Sequence, residues 1–499
     1  MTIAGALVWL GTRQGVGASA DSAVYVSGAR NLADGNGFVS FSLQPITTFP
    51  PGFSMTLAAG DRLGIDAAEG ARALDVVAFG ALVLLTFLLA RRHVRNAWLC
   101  VWAAAAVAFS PALLGVYTYA WSEPVFNVLV LATLLIVEPL MVRRGRDPAL
   151  LFLAAVVASV AFSYRYAGST VLALPAIVIL ASAWRNGFRA LLGRASAYIG
   201  LALIVPALVV ARNLWEGAGA LGNRQPSDET LGGVAQDMVH TFGEWALRSE
   251  FPRLGYVALA SAGVVMAIGL WIAARQGIRG RSTEGAPFLP LVTYVIAYLG
   301  YIMVSELTTG IDRIGSRLLS PIFAPSVVIG AIALQDVLGA DWRGRHRLLR
   351  WVTAALSATL VLWLGVSLRS SVATARKSRA SGQGYTSTSW RTSELATVVR
   401  RLPPRSLVFS NADDGLYYVS RHQPVFSSRA LRARPAPLSR AYLAWYAGAS
   451  DGGATPAELR DLGFSLCEVA TTKDGTLYRV TIDRRNAGMY TLPPCPATP

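Results

Sequence analysis

The sequence predicts an α-helical, polytopic membrane protein carrying a small C-terminal α/β domain, and three observations support this. Hydrophobic residues make up 53% of the 499 positions and charged residues only 15%, a balance too apolar for a soluble globule and long enough for many spans. Apolar runs long enough to reach across a hydrocarbon core recur as far as residue 368. Arginine clusters fall in alternate loops between those runs, as the positive-inside rule requires of cytoplasmic loops.

The apolar runs lie near 1–11, 71–90, 97–116, 123–141, 149–164, 168–183, 196–214, 254–274, 287–305, 318–338 and 349–368, which predicts about eleven transmembrane helices. The first run is short for a span and has neither a basic leader nor a small-residue cleavage site, so no cleavable signal is expected and a start upstream of Met1 stays open. Arg91, Arg92 and Arg95 mark one inner loop, and Arg143, Arg144 and Arg146 the next. Arg185, Arg189 and Arg194, then Arg275, Arg279 and Arg281, then Arg343, Arg345, Arg347 and Arg350 mark the other three. The intervening segments, 12–70, Tyr117 to Ser122, Tyr164 to Gly168, 215–253, 306–317 and everything after Arg369, are then predicted to face outward.

Residues 1–370 are read as one transmembrane domain with a long first outer loop at 12–70, and 371–499 as a soluble outer part. Within that part, 391–401 reads as a helix, and Ser406 to Ser410, Tyr417 to Val419 and Leu477 to Ile482 read as strands of an α/β domain beginning near residue 385. Cys467 and Cys495 both lie there and could pair in an oxidising compartment, whereas Cys100 reads as helix packing. Asp413-Asp414-Gly415 reads as a solvated turn before a strand.

The net charge of +16 does not imply nucleic acid, because the basic residues form short interhelical clusters rather than a stripe with interleaved aromatics. Only Lys377 and Lys473 are lysine, a bias that a GC-rich genome would produce, so an arginine is not singled out by its type alone. The histidines, His93, His240, His346 and His422, are scattered and show no metal-ligand spacing. Three isolated cysteines cannot build a zinc site. Gly35-Asn36-Gly37 is no phosphate loop, no Gly-x-Ser-x-Gly elbow occurs, and no internal repeat of the kind common in transporters is visible.

The unusual polar residues all fall in the outward segments. Asp21 opens a helical pattern through Val24, Ala29, Leu32 and Ala33 that Gly35 can stop, and either Ser19 or Asp21 can cap its start. Glu123-Pro124 stands where a helix should begin, a placement that suits the helix dipole and that capping alone would explain. Two carboxylates emerging on one membrane face are the minimum for an acid/base site. Tyr164-Arg165-Tyr166 sets a guanidinium between aromatics at a helix end, where it either contacts a ligand or snorkels to water. Arg212-Asn213 and Arg224 are weaker cases of the same kind. In Asp312-Arg313-Ile-Gly-Ser-Arg317, two arginines four residues apart would share one face at a helix entrance, a cradle suited to phosphate, unless Asp312 simply pairs with Arg317.

Taken in order, Ala29-Arg-Asn-Leu-Ala-Asp-Gly35, Phe49-Pro-Pro-Gly-Phe53, Ser122-Glu-Pro124, Tyr164-Arg-Tyr-Ala-Gly168 and Asp312-Arg-x-x-x-Arg-Leu-Leu-Ser-Pro321 make the chain resemble the bacterial GT-C membrane glycosyltransferases. Within these it is similar to the group related to protein O-mannosyltransferases and lipid A aminoarabinose transferases, over about residues 15–370. The resemblance implies inverting transfer of a hexosyl or pentosyl unit from a polyprenyl-phosphate donor to an envelope glycan, lipid or protein. It places the protein in the plasma (inner) membrane, among membrane lipids, with the active site and C-terminal domain outside the cytoplasm. Asp21 then corresponds to the general base and Glu123 to a second acid. Arg165, Arg313 and Arg317 would hold the donor phosphate, with Tyr25, Tyr166, Arg212, Asn213, Arg224 and Asp312 completing the substrate-binding set. Many relatives carry two adjacent acids in the first loop, where here Ser22 follows Asp21; no cofactor is fixed by the motifs, and the resemblance allows a divalent metal. A transporter or flippase of lipid-linked sugars is the alternative, and a non-catalytic envelope-assembly protein a third reading.

Overall fold

The computed structural model describes residues 1–143, 145–183, 188–247, 288–339, 347–433, 441–449 and 453–482. Among them, five helices are long and apolar enough to cross a membrane: Ala67–His93, Glu123–Val142, Leu289–Thr308, Ser316–Gln335 and Ser357–Ser381. A sixth span results if Leu192–Ala202 and Ile204–Trp215, bent by 48°, are counted as one. Thr2–Gly11, Ala97–Ala108, Pro148–Tyr164 and Gly168–Leu180 are shorter apolar helices. The protein is therefore a multi-pass membrane protein. Every predicted apolar run except 254–274, which lies outside the described residues with Arg275, Arg279 and Arg281, coincides with helix, but fewer helices reach spanning length than the eleven runs suggest.

Local chemistry explains the shortfall. The run 97–116 divides because Ser110 accepts a hydrogen bond from the Leu113 amide at 3.2 Å and Pro111 opens a new helix, Pro111–Val116. Pro at the first helical position loses nothing, since its missing N–H would have had no partner there. The bend before Ile204 has a similar origin: Pro206 cannot donate to the Ala202 carbonyl, and its ring crowds that oxygen.

Contacts divide the chain into two compact units. The first comprises Met1–Thr12, Thr47–Phe53 and Ala71–Arg379, and the second Arg13–Ile46, Ser54–Gly70 and Ala380–Pro499. The units part after Arg379, inside the helix Arg347–Ser381 that also contains residue 370, and most of the first outer loop groups with the C-terminal sequence rather than with the membrane helices.

In the first unit, Glu123–Val142 packs on Pro148–Tyr164, which packs on Gly168–Ala183, while Ser316–Gly339 lies against Glu123–Val142, Leu289–Thr308 and Ala97–Ala108. Lipid gives helix association little hydrophobic drive, so close approach through small residues must supply the contact energy. Ala103, Ala106, Ala154, Ala158 and Ala161 are accordingly fully buried. Large rings fill what remains, with Phe79 and Tyr117 at a centroid distance of 4.6 Å.

The second unit is built on a five-stranded sheet of order β2-β1-β3-β5-β4, where β1 is Leu407–Ser410, β2 Val425–Ser427, β3 Ala441–Tyr446, β4 Phe464–Thr471 and β5 Gly475–Ile482. β1 runs parallel to β2 and β3, and β5 pairs antiparallel with β3 and β4. Val408, Phe409 and Ser410 are all buried, as expected of a strand covered on both faces. The predicted strand 417–419 belongs instead to a helix, Asp413–Ser420. Asp413 and Asp414, read from sequence as a turn, form its first turn, where acidic side chains suit the dipole, and Leu416, Tyr417 and Ser420 form its buried face. Cys495, which the sequence allows to pair with Cys467, lies outside the described residues.

The first-loop helix Ala20–Ala33 packs against Asp413–Ser420. Phe41 stacks on Tyr417 at 5.1 Å, the Val425 amide donates to the Phe41 carbonyl at 3.2 Å, and the Tyr385 amide to the Ala18 carbonyl at 2.9 Å. Arg30 donates to both oxygens of Asp66, at 3.2 and 3.0 Å, and to the Tyr417 hydroxyl at 3.3 Å.

Candidate active site

The most tightly built polar cluster in the membrane unit centres on Glu123. Ser122 is the N-cap residue and Glu123 opens the helix Glu123–Val142, with Pro124 in its first turn as the sequence predicts. Glu123 is wholly buried. Capping does not account for it, because two guanidinium groups from other helices converge on one of its oxygens. Arg165 Nη1 and Arg317 Nε each lie 2.6 Å from Oε1, while Oε2 meets no hydrogen-bond partner among the described residues.

Each arginine is aimed by its local backbone. Arg165 is the extended C-cap residue of Pro148–Tyr164 (φ −151°, ψ 141°). The next helix starts only three residues later. A Cβ on Gly168 would lie 2.5 Å from the Phe162 backbone, so the Tyr-Arg-Tyr-Ala-Gly turn requires glycine to close. Arg165 Nη1 also donates to the Ser122 hydroxyl at 3.1 Å. Arg317 stands in the first turn of Ser316–Gly339. That helix start is fixed by Trp245 Nε1 donating to Ser316 Oγ at 3.1 Å and by the Tyr298 hydroxyl donating to the Leu318 carbonyl at 2.8 Å. Arg317 Nη1 donates to Asp312 at 2.9 Å, and its guanidinium lies 4.3 Å over the Trp121 ring. Trp121 in turn stacks on Tyr119 at 4.5 Å, and burial pushes the Tyr119 hydroxyl above its usual pKa, keeping it protonated.

Chemically, this is a pair of cations oriented by one buried carboxylate, a ring face and a hydroxyl. Guanidinium groups fixed in this way are pre-organised for an anion such as phosphate, and little reorganisation would accompany binding. Glu123 is an unsuitable ligand for a divalent metal, because the two guanidinium groups that meet its Oε1 would repel one. Among the described residues, no group of three His, Cys, Asp or Glu side chains is placed to hold a metal ion.

The remaining expected site residues divide into several sets. Arg313 is not on the helix face with Arg317; it precedes the helix, its side chain is 82% exposed, and its nearest acid is Glu229 at 3.9 Å. Asp312 pairs with Arg317, which is the plain ion-pair reading of that motif. Tyr166, Asn213 and Arg224 converge on backbone. The Tyr166 hydroxyl donates to the Thr47 carbonyl at 2.8 Å and accepts from Asn213 Nδ2 at 2.7 Å, and Arg224 Nη2 donates to the Thr48 carbonyl at 2.8 Å. Close packing accompanies this clasp: Gly222, at φ +85°, would place a Cβ 2.1 Å from the Thr47 oxygen. Arg212 lies in the last turn of Ile204–Trp215, where a cation suits the helix dipole. Asp21 and Tyr25 belong to the second unit. Ser19, not Asp21, is the N-cap residue of Ala20–Ala33; Asp21 stands in the first turn and is half-buried. The Tyr25 ring is buried and its carbonyl accepts from Ser54 Oγ at 3.0 Å. Sequence reasoning did not single out Trp121 and Ser122, which meet Arg317 and Arg165, although both lie in the polar run that leads into Glu123.

No protein-family model matches the chain, and no curated protein matches it. Solved structures do match, over nearly all of its length. ArnT from Cupriavidus metallidurans in the apo state is 13% identical, with 95% of each chain covered and a TM-score of 0.57. The same protein bound to undecaprenyl phosphate is 14% identical, with 96% of each chain covered and a TM-score of 0.58. The arabinofuranosyltransferase AftD from Mycobacteria is 15% identical with a TM-score of 0.52, covering 96% of this chain and 39% of that one. At such identities the likeness is one of fold alone, a fold this chain shares with ArnT and with part of AftD.

Proposed function

We propose that the protein is an inverting membrane glycosyltransferase that moves a sugar from a polyprenyl-phosphate donor to an acceptor outside the cytoplasm. The observation that carries this reading is the convergence of Arg165 and Arg317 on buried Glu123, in a chain whose fold matches that of a protein solved with undecaprenyl phosphate. Arg165 and Arg317 take the donor phosphate. Glu123 is a positioning residue that holds both guanidinium groups in place, with Ser122, Asp312 and Trp121 fixing their directions. Tyr166, Asn213 and Arg224 tie the segment from Thr47 to the membrane helices rather than contacting donor.

In the reaction, the acceptor hydroxyl oxygen attacks the anomeric carbon as the bond from that carbon to the phosphate oxygen breaks. The hydroxyl proton passes to the Asp21 carboxylate, the base assigned by the motif order, and polyprenyl phosphate leaves with its developing charge met by the two arginines. A positioned base of this kind contributes roughly 10²–10⁴-fold in rate.

The decisive experiment incubates the reconstituted protein with a panel of polyprenyl-phosphate sugars and follows lipid and acceptor products by mass spectrometry. Wild type should release polyprenyl phosphate and glycosylate acceptor, and Asp21→Asn should lose that turnover while keeping its thermal stability and donor affinity. Undiminished transfer by Asp21→Asn would remove the base; donor translocation without any covalent product would replace the transferase with a flippase.

A further inference from the structure

The second unit contains a cleft of about 530 Å³ that the reaction as proposed does not use. Asn31, Asp34, Asn36 and Gln423 line it with Arg405, and Val39 and Leu43 are its apolar members. The volume falls within the range of small-molecule sites, and the whole cleft lies within one compact unit.

Its construction separates a hydrogen-bonded floor from an exposed rim. Asn31 is buried at 1% exposure and donates from Nδ2 to the Val39 carbonyl at 3.1 Å, the Ser40 carbonyl at 3.2 Å and Gln423 Oε1 at 3.2 Å. Its Oδ1 accepts from Asn36 Nδ2 at 3.3 Å. The floor is therefore fixed before any ligand arrives. Asp34, Asn36, Leu43 and Arg405 are exposed along the rim. Leu43 (φ +59°) and Arg405 (φ +66°) both hold left-handed backbone conformations that non-glycine residues seldom adopt, a strain that clusters at ligand sites.

The rim chemistry selects the ligand class. Asp34 only accepts hydrogen bonds, Arg405 only donates them, and the amides of Asn36 and Gln423 do both. A neutral polyol, whose hydroxyls also do both, satisfies all four. An anion would face Asp34 and a cation Arg405, and two apolar side chains are too few to hold an acyl chain. The cleft also shares an element with the proposed base. Asp21 and Asn31 lie ten residues apart on Ala20–Ala33, a separation of about 15 Å along a helix.

We infer that this cleft is a distal subsite for a polymeric glycan acceptor, gripping sugar units about 15 Å along the chain from the hydroxyl that is glycosylated. The inference rests on the transferase reading and names its acceptor as a glycan chain rather than a lipid or a peptide. An acceptor long enough to span both sites binds more tightly than a short one, and the preference resides in Asp34 and Arg405.

The test measures binding of neutral hexasaccharides of glucose, mannose and arabinose, their disaccharides, and an uncharged hexapeptide to the full-length protein in nanodiscs by saturation-transfer NMR. Wild type, Asp34→Ala/Arg405→Ala and Asp21→Asn are compared, with transfer assayed in parallel. At least one hexasaccharide should bind wild type and Asp21→Asn alike and bind the cleft variant about tenfold or more weakly, while turnover of the matching disaccharide is unchanged. Binding by none of the hexasaccharides, equal binding in the cleft variant, or tighter binding of the peptide would overturn the subsite. Cleft-dependent glycan binding without turnover of any donor would instead remove the transferase and leave a glycan-binding protein, so the two failures are told apart.

Discussion

Two carboxylates in this protein are each met by two arginines, and they do different work. Asp66, in the second unit, has every direction filled: Arg30 reaches both oxygens, Arg421 lies 3.1 Å from Oδ2, and the Ala68 amide donates to Oδ1 at 3.1 Å. Its side chain is 31% exposed, and its partner Arg30 is wired onward to Tyr417. Glu123, in the membrane unit, is wholly buried, spends one oxygen on two guanidinium groups and leaves the other unmet among the described residues. The Asp66 carboxylate is saturated, although Arg30 Nε beside it is buried without a hydrogen-bond partner among the described residues. An incomplete cluster in a buried setting is costly to maintain unless something completes it or uses it. The difference teaches that counting ion pairs does not separate the two carboxylates, whereas the unmet oxygen of Glu123 does.

Several perturbations would break or sharpen this contrast. The largest effect is expected from Glu123→Gln, which leaves two guanidinium groups without their common anion. It should lose about 3 kcal/mol of stability in detergent denaturation together with the proposed transfer. A variant as stable and as active as wild type would make Glu123 a bystander. Next comes Asp66→Asn, expected to cost about 2 kcal/mol, visible as faster amide exchange in Ala20–Ala33 with donor affinity unchanged. Burial by itself would raise the Asp66 carboxyl, but Arg30 and Arg421 and the hydrogen bonds from Arg30 outweigh it and hold the pKa below the usual carboxylate value. A lowered pKa in the folded state means that the stability this carboxylate supplies is complete above an unfolded value near about 4 and is lost as pH falls through the folded one. Exchange in that helix should therefore rise under acid in wild type and much less in Asp66→Asn.

Tyr166→Phe comes third. It deletes the donor to the Thr47 carbonyl and the acceptor for Asn213, so about 1 kcal/mol should go, with KM for donor unchanged because the hydroxyl clasps backbone. A raised donor KM at full stability would return Tyr166 to the substrate-binding set. The smallest effect belongs to Arg313→Ala, whose side chain is 82% exposed and whose nearest acid is 3.9 Å away. Exposed pairs of this kind are worth less than about 1 kcal/mol, and loss of donor binding in this variant would show that the cradle needs a third cation.

What the sequence made legible was local. Ala20–Ala33 was readable from its apolar spacing and from Ser19 and Gly35 at its ends, and Glu123-Pro124 announced a helix start by its chemistry alone. Arg165 could be flagged as a charge interrupting apolar sequence, and Arg317 together with Arg313 as arginines four residues apart at a helix entrance. The meeting of Arg165 and Arg317 could not be read, because Arg317 and Glu123 stand 194 residues apart and nothing local encodes that pairing. The same holds for the clasp: Tyr166, Asn213 and Arg224 bond backbone carbonyls, which leave no mark in a sequence. Tyr417 to Val419 was misread as strand because a short apolar run fits either periodicity; the two acids before it were the signal that a helix begins there. The membership of residues 13–46 in the second unit was invisible for a related reason, since it depends on backbone contacts such as Tyr385 to Ala18.

That discontinuous membership bears on how the protein is made. The second unit draws on Arg13–Ile46 and Ser54–Gly70 from the start of the chain and on Ala380–Pro499 from its end. A ribosome elongating at about 5–20 residues per second needs on the order of 15–60 s to cover the roughly 310 residues between them. Throughout that interval the apolar face of Ala20–Ala33, including Tyr25 and Val26, has been synthesised but its partner Asp413–Ser420 has not. That face of the nascent chain therefore has no native partner until the final quarter of the sequence emerges.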